Sequence, residues 1–162
     1  MVKLTKRDLV VAAAAAGVTG CVFALAPATP GIIGASTYAW DAMQPHKSPV
    51  GETRQVLKGP TATLEELELH ITTLNAGQSS HPPHHHPNEE LVLIDKGTVE
   101  TLSNGKWVRL GPGSVILNGS ESWHSLRNVG DGPTQYFVVN WRTPATDAIA
   151  AKNPPEATPG HP

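Results

Sequence analysis

The sequence predicts a single all-β domain, built as a jelly roll or closed barrel of short antiparallel strands. Its 162 residues are the length of one domain rather than two. Fifteen glycines and fifteen prolines are spread along the chain and supply many turns. After residue 30, no long segment has apolar residues at helical spacing. Many short strands joined by tight turns are therefore favoured over packed helices.

Seven segments are predicted to form strands, and the turns between them are recognisable. Leu67, Leu69 and Ile71 alternate along the first segment, which places them on one face of a strand. Asn104-Gly105 is a strong hairpin signal. On the last segment, either Tyr136, Val138 and Asn140 or the alternate set Phe137, Val139 and Trp141 faces the interior. The predicted strands are residues 65–74, 90–94, 98–102, 106–110, 114–117, 123–127 and 135–141.

Composition divides the chain into four parts. Residues 1–28 are predicted to be an export signal, and residues 29–36 a linker or arm rich in small residues. Residues 37–143 form the predicted barrel. Residues 144–162 contain five prolines and are predicted to be a loose tail without regular structure.

The N-terminal segment has the charge-then-apolar order of a bacterial export signal. Lys3, Lys6 and Arg7 precede an apolar stretch at residues 9–26. Residues 5–10 resemble a twin-arginine motif with Lys6 in the place of the first arginine, and residues 18–21 resemble a lipobox ending at Cys21. Three fates stay open: a lipid anchor on Cys21, a soluble exported protein cleaved after Ala28, or a retained membrane anchor. The predicted location is the periplasm or a membrane-anchored position facing it.

Charge and cysteine content exclude some classes of function. The net charge is −2, and no basic run follows the first seven residues, so nucleic acid is not an expected partner. Cys21 is the only cysteine, so the folded domain has no disulfide framework.

The residues that indicate a chemical function are a group of histidines and one carboxylate. His84 and His86 are two residues apart, so both imidazoles would project from one face of a strand, and Glu90 can return to that face. His124 is the only histidine between this group and the C-terminal tail. Imidazole and carboxylate ligands that converge on one point bind a divalent transition metal, here Mn, Fe, Ni, Cu or Zn.

Two segments of the chain resemble the two conserved motifs of the cupin superfamily. The first runs from Gly77 through the histidines and Glu90 to Gly97, and the second from Gly113 through His124 to Asn128. Gly119 and Glu121 stand where the family has Pro and a second Gly. The resemblance implies a cupin jelly-roll barrel with one divalent metal on His84, His86, Glu90 and His124. It also implies a small-molecule substrate or ligand, and a homodimer as an expected assembly.

Two functions are consistent with this resemblance. The first is an exported metalloenzyme acting on a small organic substrate, with dioxygenase-type chemistry favoured over a lyase or isomerase. Glu90 is then a candidate base, and no other catalytic residue is identified. The alternative is a periplasmic or cell-surface cupin that binds metal or a small ligand without catalysis.

Other polar residues are assigned by weaker arguments. Glu89 is a rival to Glu90, because a bend at Pro87 would change the register. His85 is expected to be exposed, and His81 to lie at the mouth of the site or in a loop. Arg54 and Gln78 are candidate pocket groups or plain surface residues. His46, His70 and His161 are expected to have structural or solvent-exposed roles.

Overall fold

The computed structural model describes residues 31–153. The predicted export signal, the lipobox cysteine Cys21 and His161 lie outside the described residues, so their predictions stay predictions. Within residues 31–153, no helix is both long enough and apolar enough to cross a membrane.

Nine strands form two antiparallel sheets in the described part of the chain. Six strands make one sheet in the order β1-β2-β3-β9-β4-β7, and three make the other in the order β6-β5-β8. A single 3₁₀ turn, Trp40–Ala42, precedes them. The strands are β1 (Pro45–Ser48), β2 (Gly51–Gly59), β3 (Glu66–Leu74), β4 (Glu89–Lys96), β5 (Val99–Ser103), β6 (Lys106–Leu110), β7 (Val115–Asn118), β8 (Ser125–Asn128) and β9 (Thr134–Arg142).

This arrangement confirms the predicted all-β jelly roll, and each of the seven predicted segments contains a strand. Strands β1 and β2 lie outside the seven predicted segments. The nine residues of β2 include five polar or charged side chains and alternate poorly, so they carry little signal of their own. Pairing with β3 along nearly the whole length of β2 makes it a strand.

The core lies between the two sheets. Its buried side chains come from both sheets: Leu74, Val92, Ile94, Val99, Ile116, Leu126, Tyr136 and Val138. Tyr136 and Val138 therefore face the interior, which answers the question that alternation on β9 left open. Phe137 and Val139 consequently point to the outer face of the six-stranded sheet.

Asn128 connects the two sheets. Its side chain is 2% exposed and donates to the carbonyl oxygens of Leu74 at 2.9 Å and Gly132 at 2.8 Å. It also accepts a hydrogen bond from the Gly130 N–H at 2.9 Å. All the hydrogen-bonding capacity of the amide NH₂ is used, so this motif asparagine has a structural role.

Gly97, at the end of the first motif, is required by its turn. Its φ is +82°, and an added Cβ would lie 2.8 Å from Thr134 Cα. Glycine is the residue that tolerates both the left-handed conformation and the close approach.

The prediction that no regular element follows Thr143 is wrong. Residues Pro144–Lys152 form helix α1. Thr143 caps the helix by accepting from the Thr146 N–H, the Thr146 hydroxyl accepts from the Thr143 N–H in return, and Pro144 occupies the first turn. These are ordinary helix-start signals, which the count of prolines obscured.

Candidate metal centre

The histidines are carried by an irregular loop and not by a strand, which corrects the expected local structure. The loop at residues 77–88 runs antiparallel to residues 120–128, which contain His124 and β8. The His84 N–H donates to the His124 carbonyl at 3.0 Å, and the His124 N–H donates to the His84 carbonyl at 2.9 Å. This reciprocal pair of hydrogen bonds brings the two histidines together.

Three imidazoles converge at one point. One ring nitrogen from each of His84, His86 and His124 lies within 4.8 Å of the other two. The ring centroids of His84 and His124 are 4.3 Å apart, and those of His86 and His124 are 4.7 Å apart. Three nitrogens at these separations are positioned to bind one metal ion.

Backbone carbonyls orient two of the rings. His86 Nδ1 donates to the carbonyl of Asn88 at 2.8 Å, and His124 Nδ1 donates to the carbonyl of Ser122 at 2.8 Å. A proton on Nδ1 leaves the Nε2 lone pair of each neutral ring free to bind a cation. His124 Nε2 and His84 Nδ1 are buried and have no hydrogen-bond partner among residues 31–153. An unpartnered buried nitrogen with a lone pair fits a metal ligand.

The surroundings of His84 and His124 favour the neutral form of both rings. Burial, followed by the neighbouring histidines His81, His124 and His86, lowers the pKa of His84 to about 4. Burial also lowers the pKa of His124, although its hydrogen bond to Ser122 and the charge of Glu90 oppose that shift. A neutral imidazole is the form that binds metal.

Glu90 reaches the same point from β4. Its carboxylate oxygens lie 3.9 Å from His86 Nε2 and 3.9 Å from His124 Nε2. Asn118, on the adjacent strand β7 and 6% exposed, donates from Nδ2 to Glu90 Oε1 at 2.9 Å. The rival Glu89 is exposed and accepts from Trp141 Nε1 at 3.2 Å. The structure thus brings Glu90, and not Glu89, to the three histidines.

The turn before His124 contains a residue with an unusual backbone. Glu121 has a φ of +58°, in the left-handed region where glycine is favoured. Its N–H donates to the His86 carbonyl at 2.9 Å, and its carboxylate contacts His85 Nδ1 at 2.7 Å. The turn therefore has a conformation suited to glycine although glutamate occupies it, and these contacts hold it in place.

A cavity of about 280 Å³ opens beside the histidines, inside the barrel. His124 and Glu90 lie in its wall, together with the core residues Val92, Ile116 and Val138. Three of its polar residues, Asn118, Thr72 and Thr101, were not predicted from the sequence, and the interior position of Tyr136 was one of two alternatives. The pairing of Thr72 with Tyr136 across β3 and β9 depends on strand register, which no local pattern reveals.

The remaining predicted residues fall at varied positions. His81 is exposed, lines the cavity and has its ring 4.0 Å from that of His84. His85 is exposed as expected, and so is His46. His70 lines the cavity, and its Nδ1 lies 3.4 Å from Glu68 Oε1. The sequence predicted a structural or solvent-exposed role for His70 and not a place in the cavity wall.

Neither of the two candidate pocket residues lines this cavity. The Arg54 guanidinium lies 4.5 Å from the Trp40 ring centroid and donates to the Met43 carbonyl and to Glu52. Gln78 is exposed, and its carbonyl accepts from the Asn128 N–H at 2.9 Å.

Solved structures with a similar fold come from several organisms. A Cupin 2 conserved barrel domain protein from Salinispora arenicola is 21% identical, covering 74% of this chain and 99% of its own, with a TM-score of 0.56. The polyketide cyclase RemF from Streptomyces resistomycificus is 16% identical, covering 67% of this chain and 80% of its own, with a TM-score of 0.56. A predicted oxalate decarboxylase from Thermotoga maritima is 20% identical, covering 67% of this chain and all of its own, with a TM-score of 0.55.

These identities establish a shared fold and nothing finer. No curated protein matches the chain in sequence. Residues 70–140 match the family model described as Cupin domain. That segment contains all four predicted ligands and most of both sheets. Residues 70–140 therefore contain a cupin domain, and the solved structures share its fold.

Proposed function

We propose that this protein is a metal-dependent enzyme that acts on a small organic substrate, with His84, His86, Glu90 and His124 as the four ligands of one divalent transition metal. The observation that carries the proposal is the convergence of three imidazoles, one of them with a buried unpartnered Nε2, beside a cavity.

The donor set fits a transition metal. Three neutral imidazoles and one carboxylate suit Mn, Fe, Ni, Cu or Zn, and they leave one unit of positive charge on a divalent ion. Such an ion supplies Lewis acidity or the activation of dioxygen, depending on its identity. The protein positions Glu90 through Asn118, orients two rings through backbone carbonyls and bounds a partly apolar cavity for the substrate. Glu90 is also the carboxylate best placed to accept a proton from a substrate in that cavity.

The first test is the metal content of the purified protein. We expect about one equivalent of metal per chain, as four ligands to one ion imply, and loss of that metal in the double variant His84→Ala/His86→Ala. The control is His46→Ala, which removes an exposed histidine on β1, away from the three ligands. Full metal occupancy in the double variant would refute the ligand assignment.

The second test distinguishes the reaction types. Oxygen uptake and product formation are measured for metal-loaded and chelator-treated protein against small hydroxylated and carbonyl compounds. Dioxygenase-type chemistry, which we favour, predicts metal-dependent oxygen consumption with substrate. Metal-dependent turnover without oxygen uptake would indicate a lyase or isomerase. Bound metal with no turnover of any compound would favour the alternative, a non-catalytic binding protein.

We further propose that the protein is exported to the periplasm, either free or attached to the membrane through lipidated Cys21 or the N-terminal segment. The support is the order of charge and apolar residues in the first 28 residues. Cell fractionation of the wild type and of Cys21→Ala tests this proposal. Release from the membrane only in the variant would establish the lipid anchor, whereas cytoplasmic retention of the wild type would contradict export. A homodimer likewise stays a prediction, tested by the mass in solution.

A further inference from the structure

The cavity has two chemically different ends. Across the inner face of the six-stranded sheet, Glu90 is opposite Asn140 and Ile94 is opposite Tyr136. Four residues of strand therefore separate the row of Glu90 from the row of Tyr136, about 13 Å along the strand. One end of the cavity contains the histidines and Glu90, and Tyr136 lies towards the other end.

Hydroxyl groups gather around Tyr136. Thr72 is its register partner on β3, and Thr53 is the register partner of Thr72 on β2. All three residues line the cavity. Burial raises the pKa of the Tyr136 phenol to about 12, although the nearby Ser80 and Thr72 hydroxyls oppose the shift. The phenol therefore stays protonated at neutral pH and is able to donate a hydrogen bond.

The cavity wall formed by residues 31–153 contains no lysine or arginine. The nearby cations of β2 are engaged elsewhere: Arg54 contacts Glu52, and Lys58 contacts Glu68 at 2.9 Å. His70 lies beside Glu68. An ionised carboxylate placed at the Tyr136 end would lose hydration and find no Lys or Arg side chain to pair with, which is unfavourable.

We propose that the cavity selects small molecules whose end remote from the histidines is an uncharged oxygen-bearing group, held by the Tyr136 and Thr72 hydroxyls, and that it discriminates against molecules with an ionised carboxylate at that end. This inference rests on the proposed function for the near end of the molecule, where the metal centre lies. It names the substrate class of that site: compounds with one coordinating end and one neutral hydroxyl, carbonyl or amide end.

Two isosteric probes test the charge preference. 4-Carbamoylbenzoate and terephthalate share a ring and one carboxylate, and differ at the far end by an amide in place of a second carboxylate. Titration calorimetry of metal-loaded protein is expected to show at least about tenfold tighter binding of the amide, since an unpaired buried charge costs more than a hydrogen-bonded neutral group. Equal affinities, tighter binding of terephthalate, or no binding of the amide would overturn the proposal.

Variants test the hydroxyl contacts. Loss of one neutral hydrogen bond costs about 1 kcal/mol, so Tyr136→Phe is expected to weaken binding of 4-carbamoylbenzoate about fivefold. Tyr38→Phe, which removes an exposed phenol, is the matched control and should bind the amide as the wild type does. Unchanged affinity in both Tyr136→Phe and Thr72→Val would overturn the role of the hydroxyls.

Failure of this inference is distinguishable from failure of the metal proposal. Metal content is measured on each preparation before titration and is expected to be unaltered by Tyr136→Phe. Absence of metal in the wild type would refute the metal proposal. The preference between the two probes would still be measured on that protein, and a lost preference with full metal content would refute only this inference.

Discussion

The three histidines and Glu90 reach one point from two different kinds of backbone. Glu90 lies on β4, a strand paired on both sides, and Asn118 on one neighbouring strand holds its carboxylate. The histidines lie in residues 77–88 and in the turn before β8, where hydrogen bonds between two irregular segments fix them. The carboxylate position is therefore set by strand register, and the histidine positions by loop-to-loop contacts.

This difference indicates where the site is sensitive. A strand in the middle of a sheet resists local change because its neighbours hold it on both sides. A loop depends on a few hydrogen bonds, each worth about 1 kcal/mol. Changes that loosen the histidine segments should therefore alter both stability and metal binding, whereas changes beside Glu90 should alter mainly metal binding.

The largest expected effect is at Asn128, which ties the histidine-bearing side of the barrel to β3. Asn128→Ala leaves the Leu74 and Gly132 carbonyls without their buried donor, so we expect the free energy of unfolding to fall by about 3 kcal/mol. Denaturant unfolding of the metal-free protein measures it. Asn153→Ala, at an exposed position, is the control and should change stability by less than about 0.5 kcal/mol. Equal stability of the two variants would contradict the role given to Asn128.

A smaller and more selective effect is expected at Asn118. Asn118→Leu removes the hydrogen bond to Glu90 and should weaken metal affinity about tenfold, as is usual for groups that orient a ligand. The matched control is Asn140→Leu. Asn140 flanks Glu90 on the other side, and on β3 its register partner is Glu68. Equal loss of metal affinity in both variants would contradict a specific role for Asn118. The cause would then be the loss of a polar neighbour on either side of Glu90, and not the loss of its orientation. Competition with a metal indicator provides the measurement.

The turn at Glu121 allows a test of the loop side. Glu121→Val places a β-branched residue at a φ of +58° and is expected to cost about 1–2 kcal/mol. Glu121→Gly relieves the backbone but loses the contact with His85, so its stability should stay within about 1 kcal/mol of the wild type. A valine variant as stable as the glycine variant would show that the turn adopts another conformation.

Acid acts on the histidine side of the site without any substitution. The unfolded chain protonates His84 near pH 6.5, while the folded protein does so only near its lowered pKa of about 4. The unfolded state thus binds more protons in this interval, so the metal-free protein should lose stability as pH falls from 6.5 towards 4. His84→Gln should flatten that dependence, and His46→Gln, which replaces an exposed histidine, should retain it. Thermal unfolding at several pH values checks both variants.

The sequence predicted the part of the site that lies on a strand better than the part that lies in loops. Alternation along residues 65–74 and the hairpin at Asn104-Gly105 identified strands correctly, because period-two burial and turn chemistry are local properties. The loop at residues 77–88 has two consecutive prolines and no alternation, so its contacts with residues 120–128 were not visible in the sequence. His124 was found through its motif and not through any local pattern.

The interior of the cavity was not predictable for a different reason. Both faces of β9 are largely apolar, with Tyr136 and Val138 inside and Phe137 and Val139 outside, so no polar face marks the exterior. The side chains that meet across the barrel depend on which residues of β3, β4 and β9 are in register. That information lies in the pairing of distant strands.

The most direct test of the central claim is a count of the histidine ligands of the bound metal. Pulsed electron paramagnetic resonance on Cu²⁺-loaded protein with ¹⁵N-labelled histidine resolves the coordinated imidazoles. We predict three histidine signals in the wild type, two in His124→Ala, and three with weaker metal affinity in Glu90→Gln. One histidine signal in the wild type, or an unchanged count in His124→Ala, would contradict the convergence of the loop histidines with Glu90 on one ion.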